Sequence, residues 1–323
     1  MARHQWVTRG FADFRSGTFG NGGHNLYVSR AGVLQRIHQF DLNADGYVDL
    51  IFCNSQDHWE RPPVYIYTSP LEASVPLQLS AEGAQAGAVA DLNGDGFDDL
   101  VVGNHNNGMS ATGMNSTIYY GSPDGWSDRR HQHLPTPWCV AVAAGDFNGD
   151  GRPDLAFACD LHKAGKERDG LRIFYQSELA FEPKRFVDLE IFAVQIDAED
   201  VDGDGYCDLL ARQADGTVVV YWGGPEGIDP DNHTLVSAGS VGSDGAARQE
   251  HEGVSQAEYV PEAWPLVRAV FLPEPHIFVA QPQAAFLLPF RARSLGAPIR
   301  LNCAGAQAAA AGDLDGDGAL GIS

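Results

Sequence analysis

The chain has 323 residues and a formal net charge of −22, and this length is enough to bury a large hydrophobic core. The acidic excess argues against nucleic acid as a partner, because phosphate binding needs a basic face. No apolar run approaches the roughly 18–20 residues of a membrane span, and the N-terminal MARHQWVTRGFADF lacks the apolar stretch typical of a signal peptide. The five cysteines are widely spaced, which favours buried thiols over a zinc site.

An acidic decapeptide recurs along the chain, beginning at Asp41, Asp91, Asp146 and Asp200. The copies read DLNADGYVDL, DLNGDGFDDL, DFNGDGRPDL and DVDGDGYCDL. A fifth copy, DLDGDGALGI, begins at Asp313 but has glycine at its ninth position. Each intact copy therefore places an oxygen-bearing side chain at positions one, three, five and nine.

This spacing of oxygen atoms predicts calcium binding. Calcium takes roughly six to eight oxygen ligands, and no His or Cys recurs within the motif, which disfavours zinc. An ordinary acidic turn is the alternative for any single copy, but four copies with the same ligand order favour a metal. The predicted ligands are Asp41, Asn43, Asp45, Asp49, Asp91, Asn93, Asp95, Asp99, Asp146, Asn148, Asp150, Asp154, Asp200, Asp202, Asp204, Asp208, Asp313, Asp315 and Asp317.

Apolar runs flank each decapeptide. AGAVA and CVAVAAG precede the second and third copies, and DLVV and DLAF end them. Short apolar runs bounded by turn residues are typical of buried strands. Each decapeptide is therefore predicted to join two neighbouring strands. A later run, rich in β-branched and aromatic residues, is predicted as a third strand in each repeat: PVYIYTS, STIYYGS, LRIFYQS and TVVVYWGG.

The spacing of the copies predicts the architecture. Successive intact copies are 50, 55 and 54 residues apart, and the fifth follows after 113 residues, about two periods. Such a period of short strands is typical of a β-propeller with one four-stranded blade per repeat. We predict an all-β chain with one propeller domain over 1–323, in which a degenerate blade without a calcium loop and an inserted polar loop fill the long gap. The motifs lie at 41–50, 91–100, 146–155, 200–209 and, incomplete, 313–323; the degenerate blade at 265–291; the inserted loop at about 237–262.

The unit DLNGDGFDDLVVGN…IYYGS resembles the FG-GAP/VCBS repeat, the calcium-loop propeller repeat of integrin α-chains and of many bacterial surface proteins. The resemblance covers roughly 30–323 and implies Ca²⁺ as the cofactor. It also implies an extracellular, cell-surface or periplasmic location. Six blade positions are visible, and six or seven are expected in the parent protein. Because the last copy is interrupted at Gly321 and the chain stops at Ser323, we expect a truncated or altered C-terminus, with residues 10–30 as outer strands of a final blade.

The loops that follow each second strand are predicted to emerge on the face opposite the calcium loops, where propellers often bind ligands. His58, His105 and His162 follow the first Asp of their motifs by 17, 14 and 16 residues, so all three are predicted on one rim. Ordinary solvated loops are the simplest alternative. We expect instead that this rim binds a polysaccharide or glycoconjugate, or else a protein ligand. The predicted ligand-binding residues are Asn54, Asp57, Trp59, Asn104, Asn106, Asp160 and Lys163.

A catalytic alternative follows from a resemblance to propeller polysaccharide lyases, which cleave uronate-containing glycans by β-elimination. That reaction needs a base with a pKa near the working pH, which His supplies. It also needs a cation to stabilise the enolate-like charge, which Arg supplies. The candidates are His105 or His162 as base, the other of these or His58 as acid, and Arg61 or Arg212 as the neutralising group.

Overall fold

The computed structural model describes residues 20–21, 26–28, 34–40, 49–56, 63–67, 77–105, 114–159, 170–177, 180–213, 217–236, 267–272, 274–281, 284–291, 294–301, 311–312 and 321–322. Within these ranges every regular element is a β-strand. No helix in this part of the chain is long and apolar enough to cross a membrane. The predicted inserted loop at 237–262 lies outside the described residues.

Three consecutive sheets have four antiparallel strands each, as the repeat predicts. Sheet two contains β7 (Ala84–Ala90), β8 (Asp99–Asn104), β9 (Ser116–Tyr119) and β10 (His131–Leu134). Sheet three contains β11 (Cys139–Gly145), β12 (Asp154–Cys159), β13 (Gly170–Phe174) and β14 (Val187–Leu189). Sheet four contains β15 (Ala193–Glu199), β16 (Asp208–Gln213), β17 (Val218–Tyr221) and β18 (His233–Val236). In each sheet the strands pair in chain order, so every decapeptide is the hairpin loop between the first and second strands.

Sheet one has six strands instead of four, and its first two strands do not lie where the sequence predicts them. It contains β1 (Gly20–Asn21), β2 (Leu26–Val28), β3 (Leu34–Phe40), β4 (Asp49–Gln56), β5 (Val64–Tyr67) and β6 (Leu77–Leu79), paired in that order. The prediction that residues 10–30 supply outer strands of a final blade is wrong for β1 and β2, because β2 pairs with β3 at residues 26–28 and 34–36. These strands extend the first blade at the edge of its first strand.

A five-stranded sheet lies in the C-terminal part, where the sequence predicts a degenerate blade at 265–291. Its strands are β19 (Val267–Leu272), β20 (Glu274–Gln281), β21 (Ala284–Arg291), β22 (Ser294–Leu295) and β23 (Ile299–Leu301). The tight β19–β20 hairpin pairs Leu272 with Glu274 and has no room for a calcium loop. The last pair, β24 (Ala311–Gly312) with β25 (Gly321–Ile322), flanks the fifth decapeptide.

The sheets pack face to face around a common axis, because their middle strands are apolar on both sides. Every residue of β8 and β12 is buried, whereas β7 alternates between buried and half-buried positions. The first strands β7, β11 and β15 contact one another in turn, and hydrophobic cores lie between sheets one and two, two and three, and three and four. This arrangement is a β-propeller, as predicted. Cys53, Cys139 and Cys159 are free and buried in it.

Arg172 ties sheet three to the segment that enters it from sheet two. Its side chain on β13 is almost fully buried and bonds both carboxylate oxygens of Asp188, at 2.7 and 2.9 Å. It also donates to the carbonyl oxygen of Pro135 at 2.6 Å and lies 3.7 Å from the ring centroid of Phe186. A buried guanidinium with these partners is a structural link between adjacent blades.

Candidate metal centres

Three of the decapeptides are described in atomic detail: loop two (residues 91–99), loop three (146–154) and loop four (200–208). They connect the first and second strands of sheets two, three and four, so all three lie on one face of the propeller. The first decapeptide is described only from Asp49 onward, and the predicted ligands of the fifth lie outside the described residues.

The carboxylate at position one holds each loop in a tight turn. In loop two, Asp91 accepts hydrogen bonds from the backbone amides of Gly94 and Gly96, both at 2.8 Å. The equivalent carboxylates of Asp146 and Asp200 accept from the amide of the glycine at position six, at 2.7 and 2.9 Å. Repetition of the same bond in three loops means that this residue is already oriented toward the loop interior.

The side chains at positions three and five also point inward. Asn93 accepts from the amide of Asp95 at 2.9 Å, and Asp95 accepts from the amide of Phe97 at 2.9 Å. In loop four, carboxylate oxygens of Asp200, Asp202 and Asp208 lie within 4.8 Å of one another. A compact set of oxygen donors without nitrogen or sulfur fits a hard divalent cation such as calcium.

The aspartate at position nine has a second role that the sequence did not indicate. Asp99, Asp154 and Asp208 are each 0% exposed. One oxygen of each accepts the amide of position two, at 3.0, 3.2 and 2.9 Å respectively. The other accepts an amide just beyond the third strand, from Gly121, Gln176 or Gly223, at 2.7, 2.9 and 2.9 Å. This residue therefore fastens the loop to the third strand as well as facing the ligand cluster.

Burial also changes the ionisation of these carboxyl groups. Desolvation raises the pKa of Asp99 to about 6 and the pKa values of Asp154 and Asp208 to about 7, although the backbone hydrogen bonds oppose the shift. The neighbouring aspartates of each loop raise the pKa further. A buried carboxylate surrounded by like charges is stabilised by a nearby cation, so the electrostatics of the loops favour a bound metal.

Loop three differs from the other two at position seven. The guanidinium of Arg152 lies 2.5 Å from an oxygen of Asp150, the position-five ligand of the same loop. Loops two and four have Phe97 and Tyr206 at that position. Arg152 therefore competes with a cation for one of the predicted ligands. The arginine is visible in the sequence, but its ion pair with Asp150 was not predicted.

On the opposite face, the structure describes one of the three rim histidines. His105 follows β8, is half-buried, and donates its backbone amide to the carbonyl of Gly83 at 2.9 Å. Its ring meets that of Trp138 edge to face, with the centroids 5.2 Å apart. Trp138 precedes β11 with a φ of 56°, as Gly83 precedes β7 with a φ of 74°. A bulky residue in this left-handed region is strained, and such strain often marks a functional site.

Two predicted site residues are buried in the blades. Arg212 was expected on a rim loop but lies within β16, is 2% exposed and donates to Gln195 at 3.1 Å. Asn104 is also 2% exposed, and its amide group bonds the backbone of Glu82 and Asn115 at 3.3 and 2.9 Å. Both side chains would have to leave these bonds to reach a ligand. Asn54 lies on β4, and the remaining predicted rim residues lie outside the described residues: Asp57, His58, Trp59, Arg61, Asn106, Asp160, His162 and Lys163.

Comparison with known proteins identifies the repeat. A family model described as FG-GAP-like repeat matches residues 41–102 and 91–157. The phosphatidylinositol-glycan-specific phospholipase D of Mus musculus is 28% identical over 177 residues, which cover 46% of this chain and 21% of the mouse protein. The chain thus spans about a fifth of the length of this curated relative.

Several solved structures are similar in fold. The V. cholerae biofilm matrix protein Bap1 is 20% identical with a TM-score of 0.42, covering 85% of this chain and 40% of that chain. BBS1N, solved in complex with ARL6DN, is 11% identical with a TM-score of 0.46, covering 83% and 68%. The Dos1 propeller is 12% identical with a TM-score of 0.45, covering 86% and 66%. At these identities the likeness is one of fold alone.

Proposed function

Starting from a β-propeller that carries FG-GAP-like repeats, we propose that this protein is a calcium-binding propeller that presents a carbohydrate-binding rim on the face opposite its calcium loops. The observation that carries the calcium part is the repeated cradle of carboxylate and amide oxygens, most compact at Asp200, Asp202 and Asp208. Free calcium reaches the level that such loops need outside the cytosol, so the proposed location is extracellular, cell-surface or periplasmic.

The residues at positions one, three, five and nine would hold each ion. Bound calcium would supply positive charge to a cluster of mutually repelling carboxylates, of which the one at position nine is buried. The chain's own contribution is the preformed turn: the carboxylate at position one is fixed by backbone amides, and the buried aspartate at position nine joins the loop to the third strand. Because little of the turn has to be reorganised, the loops favour binding without a large ordering cost.

Aromatic groups beside the rim support the carbohydrate part. Phe192, which immediately precedes β15, is 48% exposed, whereas Trp138, at the same position before β11, is buried and contacts His105. An aromatic face can stack on a sugar ring, and His, Asn and Asp can bond its hydroxyl groups. The polar rim loops that the sequence predicts would surround these rings.

Calcium binding is tested by titration and by thermal unfolding. We expect heat release on adding Ca²⁺, little on adding Mg²⁺, and a melting temperature that rises with excess calcium and falls in a chelator, because a ligand of the folded state stabilises it by mass action. Mg²⁺ is the control because it demands a smaller, octahedral site. Identical melting curves with calcium and with chelator would overturn the calcium proposal.

Ligand binding is tested on a glycan array with calcium-loaded protein. The variants are Phe192→Ala and His105→Ala, with Leu235→Ala as control because Leu235 is 60% exposed on the outer strand β18, away from the rim. We expect binding to a polysaccharide that both rim variants weaken and the control retains. Binding unaffected by either rim variant would place the site elsewhere. If the protein binds no glycan but does bind a protein partner, the ligand of the rim is a protein and not a carbohydrate.

The lyase alternative is tested by a separate experiment. Of its five candidate residues the structure describes His105 and Arg212, and Arg212 is buried. Incubation of the folded protein with uronate-containing polysaccharides should raise the ultraviolet absorbance of an unsaturated uronate, and His105→Ala should reduce that rise, if this chemistry operates. A flat absorbance on every polysaccharide rejects it.

A further inference from the structure

Loop four contacts loop three directly. The backbone amide of Cys207 donates to the carbonyl oxygen of Asp146 at 2.8 Å, and Asp146 is the position-one ligand of loop three. The ring of Tyr206 lies against Gly149, so closely that a Cβ on that glycine would be 2.5 Å from the ring. Gly149 has a φ of 70° as well, so the position suits glycine for two reasons. Positions seven and eight of loop four therefore pack on the turn of loop three.

A second connection runs through the end of strand β17. Gly223 donates its amide to Asp208, the position-nine residue of loop four, at 2.9 Å. The next residue, Gly224, donates to the carbonyl of Phe147 in loop three at 3.1 Å. Two adjacent amides thus bind two neighbouring metal loops, and a shift of either loop is transmitted to the other.

The pair formed by loops two and three is built differently. Position eight of loop three is Pro153, which has no amide hydrogen to donate. Arg152 turns toward its own Asp150, and nothing lies within 4 Å of a Cβ built on Gly94, the counterpart of Gly149. Among the described residues, the connection that remains is Gln176, whose backbone amide bonds Asp154 of loop three and whose side-chain amide donates to the carbonyl of Leu92 in loop two.

We propose that loops three and four form one coupled two-ion unit, whereas loop two, which lacks contacts like those of Tyr206 and Cys207, is coupled to loop three more weakly. The proposal rests on the proposed calcium function. Asp204, the position-five ligand of loop four, accepts the amide of Tyr206 at 3.0 Å. A cation held by Asp204 would therefore keep Tyr206 and Cys207 against loop three, and Asp146 in place for a second ion. Tyr206 and Cys207 are positioning residues for a site to which they contribute no ligand side chain.

Thermodynamic linkage determines how the calcium affinities of loops three and four must depend on each other. If the ion in loop four raises the affinity of loop three by some factor, the ion in loop three must raise that of loop four by the same factor. Coupling between sites is commonly about 5- to 150-fold. Repulsion between the two cations opposes it, so we expect a value near the lower end, about fivefold.

The experiment follows each loop separately by NMR. The backbone amides of Gly96, Gly151 and Gly205 bond the position-one carboxylates of loops two, three and four, so their resonances report calcium in each loop. We expect Asp204→Asn to raise the calcium midpoint at Gly151 about fivefold, and Asp150→Asn to raise the midpoint at Gly205 equally. The control Asp95→Asn, which disables loop two, should change both midpoints less than these two variants do.

Cys207→Pro removes the connecting amide and places in loop four the residue that loop three already has at that position, Pro153. We expect Gly151 and Gly205 to keep their calcium response while Asp204→Asn moves the Gly151 midpoint less than it does without Cys207→Pro, because the connection through Gly223 and Gly224 remains. If this variant does not fold, Tyr206→Ala serves the same purpose. Unchanged midpoints at Gly151 in Asp204→Asn overturn the coupling but leave calcium binding intact. No calcium response at any of the three glycines overturns the proposed function itself.

Discussion

A single arginine distinguishes loop three from its neighbours. Arg152 holds Asp150 in an ion pair that is partly exposed, and such pairs contribute roughly 0.2–1 kcal/mol. Replacing it with glutamine frees the carboxylate and removes a positive charge from the vicinity of the incoming cation. We expect Arg152→Gln to strengthen calcium binding at loop three by roughly two- to fivefold, measured as the calcium midpoint at Gly151.

The control for this prediction is Arg185→Gln. Arg185 is exposed and lies 4.0 Å from Glu182, outside the metal loops of sheet three. The Arg185→Gln substitution removes the same charge as Arg152→Gln without changing a contact to a predicted calcium ligand. If both variants change the midpoint equally, the effect is one of net charge and the ion pair with Asp150 is irrelevant.

Gly103 lies at a close contact between sheets two and three. A Cβ added there would lie 2.8 Å from the sulfur of Cys139 and 2.9 Å from the Cβ of Ala86. Overpacking of a close-packed core costs about 1–3 kcal/mol. We expect Gly103→Ala to lower the free energy of unfolding by that amount in a denaturant titration, without changing the calcium midpoints of the loops.

The double variant Gly103→Ala with Cys139→Ala tests the cause. Removing the sulfur atom relieves one of the two contacts, so the double variant should be more stable than the sum of the two single effects predicts. Additive effects would show that the new methyl group does not contact the sulfur atom of Cys139.

At the scale of one hairpin, the buried aspartate at position nine joins three segments. Asp208 accepts the amides of Val201 and Gly223, so Asp208→Ala leaves two buried donors without this acceptor. Each loss costs about 1–3 kcal/mol, but the variant also removes a buried charge. We expect a net destabilisation of about 1–3 kcal/mol, even in a chelator.

Asp204→Ala is the matched control, because Asp204 is an exposed ligand candidate in the same loop. In a chelator its effect on the free energy of unfolding should stay within about 0.5 kcal/mol, whereas its effect on calcium affinity should be large. Equal destabilisation by the two variants in chelator would contradict the division into a clamping residue and a ligand. Urea titrations with and without calcium measure both.

At the scale of the whole molecule, the net charge of −22 opposes compaction. Salt screens this repulsion, since the Debye length falls from about 30 Å at 0.01 M to about 3 Å at 1 M. We expect the melting temperature in chelator to rise with sodium chloride over this range. In saturating calcium the rise should be smaller, because each bound ion cancels two negative charges. A salt response that calcium does not change would show that the loops are not the source of the repulsion.

The sequence by itself determined the strand order of sheets two, three and four and the position of the three decapeptide loops that the structure describes. The apolar runs around Val101, Phe157 and Leu210 are local patterns, and they became the buried middle strands of three sheets. The oxygen atoms at positions one, three and five are likewise separated by only a few residues. Backbone bonds within the turn are enough to bring them together.

Tertiary structure alone decided the features that depend on partners far along the chain. The second role of Asp154 needs the amide of Gln176, and the burial of Arg212 depends on neighbouring strands that cover it. The contact of Cys207 with Asp146 connects two loops that no local pattern links. Local periodicity determines which strands and turns form, whereas the packing of one blade on the next determines which polar groups are buried and which loops act together.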